Sequence, residues 1–158
     1  MIHINKDLIE LIVGKAKQSS RKRMNYNFHS SLDDTFQRML NCLEPETYCQ
    51  PHKHENPNKR EVFIILTGLA AIVEFDDTGN IIDSIILDSR KGQYGVEIPS
   101  ATWHTIIALE TGTVVYECKD GPYSPINDKN FAPWAPEEGS NEAQKYNETL
   151  CKKLGINL

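Results

Sequence analysis

The stretch Cys49–Gly68, CQPHKHENPNKREVFIILTG, sets two histidines one residue apart behind a proline, continues into a charged loop, and enters an apolar run through a glutamate. On an extended chain, side chains i and i+2 leave the same face, so His52 and His54 aim two imidazoles into one space. Glu61 heads the run EVFIILTG, where a hairpin-like return brings its carboxylate opposite them; Glu55 is the other acidic candidate in the loop. A further imidazole comes from EIPSATWHTIIAL, in which Pro99 and Ser100 make a turn and His104 opens a strand. Imidazole and carboxylate together suit one divalent transition metal (Zn, Fe, Ni, Mn or Co) and not sulfur-only chemistry.

Working outward, the whole region from Glu46 to Lys119 alternates short runs rich in Val, Ile and aromatics with Gly, Asp, Asn and Pro clusters. EVFIILTG, LAAIVEF, IIDSIIL, GVEIP, HTIIAL and TVVYECK read as strands, and DDTGN, Asp76 to Asn80, as a turn. About seven strands at this spacing imply a mainly β sandwich or barrel. Both faces of Glu61 to Leu66 are apolar apart from the glutamate. That strand calls for cover on both sides, a partner subunit being one source, and a homodimer is therefore expected.

On the N-terminal side, Leu8, Ile9, Leu11 and Ile12 predict a helix over Lys6 to Gln18. Ser30 or Ser31 is placed to cap a second helix, with Asp33 and Asp34 in its first turn and Phe36, Met39, Leu40 and Leu43 on one face. On the C-terminal side, GPYSPINDKNFAPWAPEEG (121–139) holds four of the eight prolines. It predicts an ordered strap that buries Phe131 and Trp134. Ser140 then caps a last helix with Ala143, Tyr146, Leu150 and Leu154 on one side and Gly155 at its end. The expected organisation is one domain: a helical segment 1–45, a β-barrel core 46–120, and a strap plus helix 121–158.

At 158 residues the chain is long enough for one real core. Its 17 basic and 22 acidic residues give a net charge of -5, which argues against nucleic acid as the main partner. Neither a signal pattern nor an apolar run of about 18 residues is present, so a cytoplasmic chain with no membrane partner is expected. Cys42, Cys49, Cys118 and Cys151 are far apart with no CxxC spacing and read as reduced thiols.

Several further side chains could serve a site near the histidines. Tyr48, Tyr94, Trp103 and Tyr116 could line a pocket for a sugar ring, with core packing the plainer reading for Trp103 and Tyr116. Tyr48, Tyr94 and His29 are candidates for proton transfer, although an isolated His such as His29 is more often structural. Arg21, Lys22, Arg23, Lys53 and Arg60 could draw a phosphate or carboxylate to the barrel mouth, Lys53 and Arg60 foremost, against the plainer reading of a solvated charged face. Cys49 could be a fifth ligand or redox thiol, or an ordinary buried small residue. The expected ligand is small, polar and anionic.

His52-x-His54, six residues, Glu61, six residues and Gly68 resemble the first cupin motif. Gly92, six residues and Pro99-x-Ala101-x-x-His104 resemble the second. Three positions depart from the pattern: the gap from His54 to Glu61 is longer than usual, Ala101 stands for a glycine, and Ala108 for an asparagine. More of the chain, in RMNYNFH, FQRML, PETYCQPHKH, VEIPSATWHTIIALE, YECKDGPY and KNFAPWAPEEG, resembles the WbuC-type cupin-fold metalloproteins, bacterial proteins often associated with surface-polysaccharide gene sets. The resemblance implies a double-stranded β-helix of jelly-roll type and a metal site of three His and one Glu, with no firmly assigned reaction. Three functions fit: a metal-dependent isomerase or epimerase of a sugar or sugar nucleotide, an Fe(II)-dependent dioxygenase of a small polar substrate, and a non-catalytic small-molecule sensor.

Overall fold

The computed structural model describes residues 1–124 and 128–156. Helix α1 spans Lys6–Gln18, and the Asn5 side-chain oxygen caps it by accepting from the Leu8 N–H at 3.1 Å. Ten strands follow: β1 Arg23–Asn27, β2 Phe36–Leu43, β3 His52–Lys53, β4 Glu61–Thr67, β5 Ala70–Phe75, β6 Ile81–Leu87, β7 Gly95–Ile98, β8 Trp103–Ala108, β9 Thr113–Asp120 and β10 Asn130–Phe131. Helix α2, Ala143–Lys153, closes the described chain. The strands form two five-stranded sheets, ordered β1-β2-β9-β4-β7 and β10-β3-β8-β5-β6, with antiparallel pairing throughout the registered strands. This is the cupin jelly roll.

The sheets face each other across a core of Leu43, Phe63, Ile65, Ile72, Leu87, Ile98, Ile106 and Val115. Part of each sheet is also covered from outside by a helix, which explains the apolar residues on both faces there. Ile12 and Ala16 of α1 pack on Leu40, Cys42 and Val114 behind the first sheet. Leu150 and Cys151 of α2 pack on Ala71, Val73, Phe75 and Ile107 behind the second. Gly68 closes the β4–β5 turn at φ +78°, and a Cβ there would collide with Thr113.

Residues 33–43 do not form the expected second helix. Phe36–Leu43 is a strand whose Asn41 pairs with Asn25 on one side and with Val115 on the other. Its outward Leu40 and Cys42 are buried under α1, while inward Gln37, Met39 and Asn41 line a cavity. With apolar residues on both faces and polar ones inside, the two-residue alternation vanishes and a helical spacing is mimicked. Ser31 instead closes a local turn, its Oγ accepting from the Asp33 N–H at 3.1 Å.

The strap differs from expectation in two respects. Phe131 is 53% exposed, in β10 against β3, whereas Trp134 is half-buried on Phe75 with ring centroids 5.0 Å apart. Its residues 125–127 lie outside the described residues. Ser140 makes no cap: Glu142 takes that position without a side-chain hydrogen bond, and Gly155 follows the helix at φ +71°. The outer face of β4 is open within the chain, Ile64 and Leu66 each being 39% exposed. Among the described residues, no helix is long and apolar enough to cross a membrane.

Candidate metal centre

His52 lies in β3 directly opposite His104 in β8, and His54 follows just beyond the end of β3. Glu61 begins β4 in the other sheet, between Ile98 and Lys119. The four side chains therefore reach the barrel interior from both sheets. All four are buried, and one donor atom from each lies within 4.8 Å of every other. The long loop between His54 and Glu61 is held back by the Ala101 N–H, which donates to the His54 carbonyl at 3.1 Å. Ala101 sits at φ +60°, the left-handed backbone for which the motif's usual glycine is suited. Glu55 is not in the group; its carboxylate pairs with Lys53 at 2.7 Å.

The hydrogen bonds of the three rings fix their tautomers. His52 Nδ1 lies 2.9 Å from the Gln50 carbonyl, His54 Nδ1 2.5 Å from that of Asp128, and His104 Nδ1 2.8 Å from that of Thr102. A carbonyl only accepts, so each Nδ1 carries the proton and each Nε2 presents a lone pair. His104 and His54 point those lone pairs at Glu61 Oε2, at 2.9 and 3.4 Å, and His52 Nε2 is buried with no partner. Three lone pairs and a carboxylate converge with no hydrogen between them when the rings are neutral. A divalent cation satisfies all four at once, so the residues present fit a metal ion.

Electrostatics agree. Burial, then Lys129 and His104, hold His52 well below its ordinary value, so no proton competes for its Nε2. Burial pushes Glu61 up, yet its carboxyl is held well below its ordinary value, because His104 and His54 donate to it whenever a ring takes a proton at Nε2 and the Lys119 ammonium attracts its charge throughout.

The group opens into a cavity of about 700 Å³ whose lining includes Arg21, Arg23, Asn25, Asn27, His29, Met39, Asn41, Cys49, Gln50, Glu117, Lys119, Lys129 and Phe131. Glu117, on the inner face of β9, was not singled out by the sequence. Burial and the facing Glu61 push its carboxyl up to about 8, and its Oε2 accepts from Asn41 Nδ2 at 2.9 Å. Asp128, equally hidden from sequence patterns, ties the strap down. Its carboxylate takes Lys59 Nζ at 2.6 Å and Lys119 Nζ at 2.7 Å while its carbonyl holds His54.

Most of the sequence-derived substrate and proton-transfer candidates lie elsewhere. Tyr48 is buried, and its hydroxyl donates to the Pro136 carbonyl at 2.7 Å. Tyr94 is 62% exposed and Tyr116 packs against Phe28, neither lining the cavity. Trp103 donates its Nε1–H to Asp77 at 2.9 Å and lies under Lys53 Nζ, 4.7 Å from its ring centroid. Arg60 grips Asp120 bidentately at 2.9 and 3.2 Å on the outside, and Lys22 Nζ donates to the Lys17 carbonyl. Only His29, Arg21, Arg23 and Cys49 from those sets reach the cavity. His29 Nδ1 lies 3.1 Å from both the N–H and the carbonyl of Arg38; burial pushes the Cys49 thiol up to about 12, and its sulfur is not among the donor atoms that converge. For Lys53, Trp103 and Tyr116 the extended strand explains the misplacement: residues alternate outward and inward, so nearness in sequence to a candidate donor says little about facing it.

The family described as a domain of unknown function, DUF6016, matches residues 4–87, just over half of the chain. No curated protein sequence matches. Among solved structures, the chain is similar to the capsular polysaccharide assembling protein CapF from Staphylococcus aureus, with 19% identity and a TM-score of 0.54 over 69% of this chain and 29% of that one. A CapF with the inhibitor 3-isopropenyl-tropolone gives 20% identity and a TM-score of 0.55 over 69% of this chain and 31% of that one. A cupin superfamily protein from Desulfitobacterium hafniense DCB-2 gives 16% identity and a TM-score of 0.45 over 62% and 75%. The chain thus spans under a third of the length of the CapF chains it matches.

Proposed function

The chain belongs to the DUF6016 family, and from that premise we propose that it is a cupin metalloprotein of the WbuC type, acting in the cytoplasm on a small polar ligand of surface-polysaccharide metabolism. His52, His54, Glu61 and His104 hold one divalent ion. The observation that carries this reading is the convergence of two Nε2 lone pairs on the Glu61 carboxylate, with a third, His52 Nε2, buried and unpartnered within 4.8 Å of them. When bound, the ion supplies a Lewis acid for a substrate oxygen. The backbone carbonyls of Gln50, Asp128 and Thr102 keep the three rings oriented for it.

An isomerase or epimerase of a sugar or sugar nucleotide is the activity best supported. Such a reaction needs a group to move a proton beside the polarised oxygen, and Glu117 is a carboxyl on the cavity wall that the ligand set leaves over. It replaces Tyr48 and Tyr94, which face away from the cavity, in that role. The likeness to a capsular polysaccharide assembling protein supports the same area of metabolism. A homodimer would use the open outer face of β4 at Ile64 and Leu66.

Elemental analysis of protein purified without a histidine tag, followed by incubation with nucleotide sugars in D2O, tests the reading. About one metal per chain and deuterium entry at a sugar carbon are expected. Iron with ligand-dependent O2 uptake and no exchange would replace it with the dioxygenase, and metal-free protein would remove the site.

A further inference from the structure

Recognition in the cavity must come from groups that are not already committed. Its cations are largely spoken for. Arg21 and Arg23 both bind Glu138, at 2.7 Å each, and Lys119 is bound by Asp128, which leaves Lys129 at the exposed rim as a cation that could meet a charged end of a ligand. The inner faces of β1 and β2 are different. Asn25 and Asn41 are register partners, Asn27 is paired with Met39, and all four line the cavity. Asn25 and Asn27 stand at the exposed mouth, where polar residues are ordinary, but Asn41 lies half-buried between them and the fully buried Leu43, where an apolar residue would serve a barrel with only a metal to hold.

These amides have hydrogen-bonding capacity to give. Asn25 Nδ2 has Met39 Sδ at 3.3 Å, a weak acceptor. Asn41 uses its NH2 on Glu117, and its Oδ1 is buried without a partner. Turning that amide over only moves the unmet group from the carbonyl to the NH2. An amide offers a donor and an acceptor side by side, as a hydroxyl does, whereas lysine only donates and a carboxylate only accepts.

We propose that the inner faces of β1 and β2 form a polyhydroxyl subsite in which Asn25, Asn27 and Asn41 bind the hydroxyls of a sugar-like ligand whose other end reaches the His52, His54, Glu61 and His104 group. The subsite rests on the metal-centre reading for its orientation but is built from separate strands. Asn41 is its pivot, because its hydrogen-bond partner Glu117 in turn faces Glu61. The ligand class follows from the wall: several hydroxyls on a compact skeleton, with charge at most at one end.

The test compares matched pairs on the metal-loaded full chain by calorimetry: D-gluconate against hexanoate, glucose 1-phosphate against methyl phosphate, and UDP-glucose against UDP. At least one hydroxyl-rich member should bind about tenfold or more tightly than its counterpart. Asn41→Leu should abolish that preference while leaving metal stoichiometry and the affinity of the hydroxyl-poor counterpart unchanged. The paired variant Asn25→Ala with Asn27→Ala, at two exposed positions that cannot compromise the core, should reduce it about fivefold to tenfold. Equal binding within every pair, or a preference untouched by both variants, overturns the subsite although metal still binds. Loss of metal from the wild type would instead remove the metal-centre reading, and a hydroxyl preference persisting in that protein would still uphold the wall.

Discussion

Removing the Asp128 carboxylate would strand two buried ammonium groups, and the cost can be worked from the structure. Lys59 and Lys119 have side chains 2% and 5% exposed, and both end on the two oxygens of Asp128, itself 2% exposed. Lys59 also donates to the Pro122 carbonyl, so it retains one partner, whereas Lys119 is left with the acidic groups of the cavity. Deleting one member of such a buried set costs about 3–5 kcal/mol, because the penalty is the uncompensated charge and not the lost attraction alone. With a urea slope of about 2 kcal/mol/M, the midpoint of chelated Asp128→Ala should fall by roughly 2 M. Replacing all three together, Lys59→Met, Lys119→Met and Asp128→Leu, should recover most of that loss. The Asp128 carbonyl that orients His54 is backbone and survives in Asp128→Ala, losing only the lysine ties that pin its segment, so metal affinity, read by competition with a chromogenic chelator, should drop by less than the about 10–100-fold that losing such a hydrogen-bond partner costs. A midpoint shift below about 0.5 M would refute the reasoning about buried charge.

Other outcomes follow from the same geometry. His52→Ala and His104→Ala should each lose most bound metal, and Glu61→Gln should lose more than Glu55→Ala; full metal content in Glu61→Gln would move the acidic ligand. Chelated wild type should still melt cooperatively well above room temperature, since the sheets and both helices bury their cores without the ion, and melting near room temperature would contradict that. Burial pushes the Cys42 and Cys49 thiols up to about 12. A folded value above the unfolded one gives stability that is whole below the unfolded thiol value and is lost as pH rises toward the folded value. The urea midpoint should therefore decline between about pH 8.5 and 11. In Cys42→Ala with Cys49→Ala that decline should flatten, and an unaltered slope would show that these thiols are not its source.

How far the sequence could be read depended on whether a residue's role was local. Helix α1 and the turn at Asp76 to Asn80 rest on neighbours in the chain, and both stand where expected. The four proposed metal donors could be found because their spacing is tied to strand geometry, and they meet in space. The strand Phe36–Leu43 was misread as helix because its sidedness depends on α1 outside and a wet cavity inside. Glu117, Lys119 and Asp128 gave no local signal: each gains its meaning only from a partner brought close by long-range pairing. Lys53 and Arg60 sit between proposed metal donors in the sequence yet turn to Glu55 and Asp120.

The separation of the amide-bearing strands from the imidazole-bearing ones has a consequence for how such a protein can change. Residues Asn25, Asn27 and Asn41 belong to β1 and β2, at one end of their sheet, whereas His52 and His104 belong to the opposite sheet and His54 follows the end of its strand β3. β1 hydrogen-bonds to β2 alone and rests on α1, so its inward side chains can be exchanged without altering any strand that carries an imidazole. On the proposed assignments, selectivity and reactivity would be inherited on different stretches of polypeptide, and related chains could diverge in what they hold while the inorganic chemistry stays as it was.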